Sequence, residues 1–249
     1  MRALSHRLVI AGLFLSWAQI APAQTVDEIV EKHLAATGGR AALGKLTSRS
    51  MTGTIVLSTP GGELSGPLEV QSQAPNKSRT LVTLDLTAVG AGKVTFDERF
   101  DGTTGYVIDT MQGNRDLMGN QLENLRNETF PTPLLDYKER GATLELAGKE
   151  KVGDREAYLL ILRPKSGPPI RRYLDAESFL EIRLVTTADA PQVGEFEQTI
   201  DLLDLREVDG IKVPFQVKAT SAFQAFTVSL TNVEHNRTID QSVFAKPAN

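Results

Sequence analysis

The chain of 249 residues contains no cysteine, one tryptophan and three histidines. Without cysteine it can form no disulfide and offers no thiolate ligand, so its stability must come from a packed core, which a chain of this length can build. Only His33 and His235 lie beyond the first 23 residues, and a closed metal site needs three or four ligands. We therefore predict no metal site and no cofactor, with both histidines on the surface or at the edge of the core.

The sequence also lacks the short motifs that carry catalytic chemistry. It has no H-E-x-x-H zinc motif and no G-x-S-x-G nucleophile turn. A serine nucleophile would need His33 or His235 as its base, and neither histidine lies in a recognisable signature. The paired carboxylates Glu195 and Glu197 lie on one face of an alternating segment, where water keeps such acids ionised. We interpret the chain as a non-enzymatic protein with no catalytic residues.

Residues 1–23 are typical of a secretory signal. Two arginines precede an apolar run at residues 8–15, and the small-residue stretch 21–23 follows. This run is too short to span a bilayer, and the order of basic, apolar and small residues favours export. We expect cleavage after Ala23, which leaves 24–249 as a single domain in a bacterial periplasm. No cysteine follows the run, so no lipid anchor is expected.

The balance of charge argues against several partners. Residues 1–23 carry two basic and no acidic residues, so 25 basic residues face 31 acidic ones in 24–249, a net charge of −6. A negative chain is poorly suited to bind nucleic acid or an anionic membrane surface. No later segment reaches the roughly 20 apolar residues of a membrane helix. We expect a soluble monomer with no nucleic-acid partner.

Alternating apolar and polar residues dominate the sequence from Met51 onward. In "FLEIRLVTT", Leu180, Ile182 and Leu184 alternate with charged residues and are expected to share one face of a strand. Runs of this kind, separated by Gly, Pro, Asp and Asn, predict strands near 51–58, 64–73, 78–87, 92–100, 105–110, 143–150, 156–163, 169–175, 179–187, 194–208, 212–221 and 224–236. Because hairpins join most of these strands directly, they predict an antiparallel sheet in sequential order.

Two helical regions accompany the strands. Thr25 and Glu28 have the spacing of a capping box, and glycines at 38 and 39 end the first helix. A short helix from Arg40 to Leu46 follows, and the segment 113–141 interrupts the strands with a second helical pattern. The apolar residues of that pattern are expected on one helical face: Leu117, Met118, Leu122 and Leu125. We predict a mainly β (α+β) fold, a single strongly curved antiparallel sheet or incomplete β-barrel with helices covering its concave face.

The order of these features resembles the outer-membrane lipoprotein-sorting family, the LolA/LolB-like superfamily. The resemblance is carried by "KHLAATGGRAALGKLTSRSMTGT", "EVQSQAPNKSR", "FDGTTGYVID", "YLDAESFLEIRL", "LREVDGIKVPFQV" and "NVEHNRTIDQSVFAKP". It runs over nearly all of residues 24–249. It implies an incomplete barrel whose helical lid covers an apolar hollow that holds acyl chains.

The resemblance further implies a hydrophobic ligand, a lipid or acyl chain, and membrane-bound donor and acceptor proteins. A dry hollow suits such a ligand because each exposed CH₂ costs about 0.8 kcal/mol in water. Lipoprotein carriers tend to have a basic residue before the proline at the strand end, where this chain has Ala74. Lipoprotein and another lipid therefore both stay open as the ligand.

Inward positions of the middle strands give the candidate cavity liners. They are Val82, Leu84, Val94, Phe96, Leu160, Ile182 and Phe226. Leu117, Met118, Leu122 and Leu125 are the candidate lid residues. A shift of one residue in strand register would exchange each liner for its neighbour.

Two functions from different classes follow from this interpretation. The first is a periplasmic carrier or chaperone for lipids or lipoproteins, active in outer-membrane trafficking. The second is a structural or interaction protein whose barrel is filled by its own side chains and which binds a protein partner at an edge strand or on its acidic surface. The volume of empty space inside the barrel distinguishes the two hypotheses, because a filled core leaves no room for an acyl chain.

Overall fold

The computed structural model describes residues 24–59, 61–87, 90, 92–190 and 193–247. The expected signal, residues 1–23, lies outside these residues. One sheet of 13 strands dominates the fold. The strands are β1 (Ser48–Thr59), β2 (Gly62–Gln73), β3 (Lys77–Leu86), β4 (Gly92–Phe100), β5 (Gly105–Asp109), β6 (Arg115–Asp116), β7 (Thr143–Val152), β8 (Arg155–Arg163), β9 (Ile170–Asp175), β10 (Glu181–Ala190), β11 (Gly194–Val208), β12 (Ile211–Thr220) and β13 (Ala225–His235).

The strands follow the order β6-β5-β4-β3-β2-β1-β13-β12-β11-β10-β9-β8-β7. Every neighbouring pair is antiparallel. Pairing of β1 with β13 joins two runs of sequential hairpins, called here the first arm (β1 to β6) and the second arm (β7 to β13). The sheet ends at β6 and β7 and does not close. The prediction of a mainly β fold with one open antiparallel sheet is confirmed. The predicted sequential order is wrong at one point, because β6 and β7 lie at opposite edges and β1 pairs with β13 instead.

In the described part of the chain, three α-helices accompany the sheet: α1 (Val26–Thr37), α2 (Arg40–Leu43) and α3 (Gly119–Asn127). The capping box before α1 is present, since the Glu28 amide donates to Thr25 Oγ1 at 3.2 Å and the Thr25 amide donates to Glu28 Oε2 at 2.9 Å. Helix α2 ends earlier than predicted, with Gly44 as its C-cap. Among the described residues, no helix has the length and hydrophobicity needed to cross a membrane.

The helices α1 and α2 identify the inner face of the sheet. Ile29 and Leu34 of α1 pack in the main core with Leu160, Val213 and Phe215. Alternate residues of a strand share a face, and directly paired residues on antiparallel strands share it too. The register therefore extends this inner face from strand to strand across the whole sheet.

Helix α3 shows how strongly the sheet curls. Arg126 Nη2 donates to the carbonyl oxygen of Thr103, between β4 and β5, at 3.1 Å, and Asn124 Nδ2 donates to that of Thr187 in β10 at 2.8 Å. The strands β5 and β10 are eight steps apart in the strand order, which is about 38 Å on a flat sheet. Since residues 124 and 126 lie within one turn of α3, the two arms must curl towards each other.

A β-bulge changes the face of one predicted liner. Glu181 pairs with Leu174 and Arg183 pairs with Tyr173, so Ile182 is the extra residue between them. It packs with residues of the outer face: Ala157, Leu159, Tyr173 and Val185. The prediction that Ile182 lines the concave face is therefore wrong, because the bulge breaks the alternation of "FLEIRLVTT".

Substitution of Gly66 tests the close approach of β2 and β3. A Cβ atom at Gly66 would lie 1.9 Å from the backbone oxygen of Thr83, whereas at Gly61 the nearest atom within 4 Å, Thr59 Oγ1, lies at 3.8 Å. We expect Gly66→Ala to lower the free energy of unfolding by about 1–3 kcal/mol, because backbone must move. Gly61→Ala is the matched control and should change it by less than about 0.5 kcal/mol in urea unfolding. Equal effects would contradict the register assigned here.

Candidate functional site

Two adjacent rows of apolar side chains cross the inner face of the sheet. The first row runs through direct cross-strand pairs of six strands: Leu184, Ile200, Ala219, Phe226, Leu57 and Leu64. The second row runs in the same way through four strands: Leu202, Val217, Val228 and Ile55. We name these residues the apolar band. It forms one continuous hydrophobic surface across the junction of the two arms.

The apolar band lies beyond the part of the inner face that α1 covers. On β12, Val213 and Phe215 pack in the main core with Ile29, and the same face continues to Val217 and Ala219. Most band residues stay half-buried rather than buried. The band is thus a hydrophobic surface that its own neighbours cover only in part.

Six of the predicted liners lie on the inner face. Val82 pairs with Phe96 and Leu84 with Val94, and these four pack in one cluster with Ile55 and Phe226. Leu160 lies in the main core. That these residues contact a ligand stays a prediction.

The sequence interpretation missed several band residues, although their alternation was visible. They are Ile200, Leu202, Val217 and Val228, within the predicted strands 194–208, 212–221 and 224–236. These strands are long and mostly polar on their outer face. The alternation of apolar and polar residues along them is therefore the signal that could have identified these four residues.

Helix α3 bridges the two arms mainly through polar side chains. These contacts join Asn120 to Glu195, Gln121 to the Asp189 carbonyl, Asn124 to the Thr187 carbonyl, Arg126 to the Thr103 carbonyl and Asn127 to the Ser166 carbonyl. No residue of α3 is buried. A helix attached in this way can detach without exposing a hydrophobic core, which places it among the less stable parts of the fold.

The predicted lid residues divide into two groups. Leu122 and Leu125 lie in α3 and are half-buried. Leu117 and Met118 precede the helix, because the Leu117 amide donates to the carbonyl of Gly105 at 2.8 Å and Met118 is the extended N-cap. Leu117 is buried, while Met118 is 74% exposed. The prediction that all four share one helical face is wrong for Leu117 and Met118.

One arginine interrupts the apolar surface at the second arm. Arg172 pairs with Leu160 on one side and Leu184 on the other, so it lies on the inner face at the end of the first row. It is 2% exposed. Its Nη1 donates to both carboxylate oxygens of Glu181, at 2.8 and 3.0 Å. The inner face therefore carries a buried ion pair directly beside the apolar band.

Two carboxyl groups, Glu98 on β4 and Glu128 at the end of α3, are desolvated by the protein around them. Burial raises the pKa of Glu98 to about 6, and it also raises the pKa of Glu128, the C-cap of α3. Nevertheless, Glu98 is partly accessible to solvent and Glu128 is exposed. The protein around both carboxyl groups therefore disfavours their ionised form.

Two surface depressions lie elsewhere. One of about 420 Å³ lies between the start of α1 and β7, lined in part by Thr25, Tyr137 and Leu144. The other, of about 210 Å³, is lined in part by Arg171 and Glu197. Both are open, and neither includes a residue of the apolar band or a predicted liner.

Both histidines have structural contacts. His33 is buried with its Nδ1 2.9 Å from the carbonyl oxygen of Phe179, and burial lowers its pKa. His235 lies between Arg49 and Asp209. Within the described part of the chain, no group of three or more His, Cys, Asp or Glu side chains is placed to hold a metal ion.

The raised pKa of Glu98 predicts a pH-dependent stability. Because the folded chain holds this proton more tightly than the unfolded chain, the carboxyl's contribution to stability falls as pH rises from about 4.5 to about 6. Glu98→Gln should therefore gain about 1–2 kcal/mol relative to wild type between about pH 4 and about pH 7.5, measured by urea unfolding. Glu63→Gln, which removes an exposed carboxylate, is the control. A gain that does not depend on pH would contradict the raised pKa of Glu98.

No family model and no curated protein matches the chain. A LolA superfamily protein from Nitrosomonas europaea superposes with a TM-score of 0.58 at 13% identity, covering 90% of this chain and 99% of that chain. A DUF1329 family protein from Desulfovibrio piger gives 0.56 at 13% identity, covering 88% and 97%.

A third structure, a domain from Vibrio parahaemolyticus named for outer membrane lipoprotein sorting, gives a TM-score of 0.55 at 10% identity. It covers 87% of this chain and 94% of its own. Identities at this level establish a shared architecture and leave ligand and partner undetermined. The chain therefore has the LolA-like fold that its sequence resemblance predicts.

Proposed function

We propose that the chain is a periplasmic, non-enzymatic carrier or chaperone that binds the apolar tail of a lipid or acylated protein on the apolar band, beneath α3. One observation carries the proposal: a hydrophobic surface continuous over six strands stays mostly half-buried, and the helix that bridges the two arms, α3, buries no residue. A helix that completed a hydrophobic core would bury some of its own side chains. A helix that covers the ligand site of a carrier must instead be able to move away.

The dimensions of the apolar band suit an acyl chain. The first row crosses five strand-to-strand steps, about 24 Å of surface, which is the length of a long alkyl chain. Each methylene that leaves water contributes about 0.8 kcal/mol, so a chain of ordinary length needs no dense set of polar contacts. This accounts for a ligand site built almost wholly from aliphatic side chains and phenylalanine.

The comparisons support the wider setting of the proposal. One structural neighbour is named for outer membrane lipoprotein sorting. By analogy, the carrier would take its cargo from a membrane-bound donor protein and release it to an acceptor, and it would act as a monomer. The inner face has ion pairs and apolar rows but no catalytic motif in the sequence, which favours transport over chemistry.

A second function, an interaction protein with a filled interior, rests on a different observation. Val82, Leu84 and Val94 are at most 9% exposed and pack against one another. A partner would then bind elsewhere on the molecule. The edge strand β7 is a poor surface for strand pairing, since it has a bulge near Gly148 and several charged residues. We therefore rank this function below the carrier.

Native mass spectrometry of the protein from its own periplasm separates the two functions. A carrier should retain a discrete adduct of lipid size, which organic extraction would release and identify. A bare mass, together with no uptake of added fluorescent fatty acid, would favour the interaction protein.

Substitution within α3 tests whether this helix is a lid. Leu122→Asp places a charge on the half-buried side of α3, so a bound fluorescent fatty acid should dissociate at least about tenfold faster, a loss of about 1.4 kcal/mol. The thermal midpoint should change little, because α3 buries no residue. Leu203→Asp, at a leucine 40% exposed on the outer face, is the control. Parallel loss of binding and stability in Leu122→Asp would identify α3 as part of the core.

A further inference from the structure

The side chain of Arg172 has two buried donors that no other described residue accepts from. Its Nη1 binds Glu181, while Nε and Nη2 have no hydrogen-bond partner among the described residues. Buried donors without acceptors cost free energy and are rare in folded proteins. Nε and Nη2 together form the straight edge of the guanidinium that matches the two oxygens of a carboxylate.

Elsewhere this chain uses the same edge to bind carboxylates. Arg79 binds Asp97, Arg183 binds Asp201 and Arg206 binds Asp204, each through Nε and Nη2 at 2.6 to 3.1 Å. The guanidinium of Arg172 is more deeply buried than any of these three. Glu181 thus orients the guanidinium of Arg172 from one side, while its Nε–Nη2 edge has no acceptor among the described residues.

The surroundings of Arg172 connect this edge with the apolar band. Arg172 lies between Leu160 and Leu184, and Leu184 begins the first row of the band. Glu128 at the end of α3 acts electrostatically on Arg172 without forming an ion pair with it. Next to Glu128, Thr129 has a buried hydroxyl that also has no partner within the described chain. Polar groups therefore collect at one end of a hydrophobic surface, as an amphiphile requires.

We propose that Arg172 binds the carboxylate head group of a single-chain amphiphile through Nε and Nη2, while the tail of the amphiphile lies along the apolar band. This inference rests on the proposed carrier function and assigns it a ligand class, long-chain carboxylates. A monoanion fits better than a doubly charged phosphate, because Glu181 already neutralises Arg172 and Glu128 adds repulsion at the same place.

Binding of laurate, dodecanol and dodecyltrimethylammonium below their micelle concentrations tests the head-group site. The three probes share one tail and differ in head-group charge. Wild type should bind laurate about 10- to 100-fold more tightly than dodecanol, since only laurate offers two anionic oxygens to the two donors of the guanidinium edge. It should bind the cationic probe most weakly. Isothermal titration calorimetry measures all three affinities.

Two variants assign this preference to Arg172. Arg172→Leu with Glu181→Leu removes the ion pair as a unit, which avoids an unpaired buried charge. Arg172→Lys keeps the charge beside Glu181 but lacks the planar edge of the guanidinium. This variant still tests the assignment if the double variant does not fold. Both should bind dodecanol as wild type does and should lose the preference for laurate. The control, Arg183→Leu with Asp201→Leu, removes a similar pair from the outer face of β10 and β11 and should keep the preference.

The outcomes separate the head-group site from the carrier function. Loss of laurate preference with unchanged dodecanol binding supports the assignment to Arg172. A preference that survives in both Arg172 variants overturns this assignment and leaves the carrier function standing. If wild type binds none of the three probes, the carrier function itself fails.

Discussion

The pairing of β1 with β13 is the contact on which the remainder of the fold depends. It joins the first strand to the last, from Arg49 opposite His235 to Ser58 opposite Ala225, and so links two arms that are otherwise built from local hairpins. Contacts this distant in sequence carry a higher loop-closure entropy cost than the local hairpins of the two arms. The register shift at Gly53 adds local twist at this junction. The apolar band crosses the same junction, so this continuous surface exists only once the two arms have joined.

Curvature then explains why one helix can affect the whole inner face. An open sheet of 13 strands has two free edges and must curl to bury its hydrophobic side. Helices α1 and α2 cover one part of that side, while α3 spans the gap between the arms with side-chain hydrogen bonds. Each such bond contributes little net stability, about 1 kcal/mol. Helix α3 therefore holds the two arms together only weakly, in contrast to the tightly packed core beneath α1.

Local sequence signals predicted most of the fold and little of the site. The capping box at Thr25 and the hairpin strands depend on neighbouring residues, and both are present. The bulge at Ile182 could not be read from alternation, because it depends on how β10 pairs with β9. The strand "IRRYLD" did contain one usable signal. Alternation places Arg172 on the same face as Ile170 and Leu174, and a charged residue on an apolar face requires a buried partner.

The buried ion pair of Arg172 and Glu181 is difficult to explain as a device for stability. Well-packed apolar residues in place of a buried pair are often neutral or stabilising, and Leu160 and Leu184 on either side show that leucine is accommodated in this row. A charge at position 172 is useful if it orients a bound ligand. A head group held at Arg172 would direct the tail from β9 towards β2, along the band. Release of α3 would then uncover the tail while Arg172 still holds the head, which gives the transfer of an amphiphile a defined order.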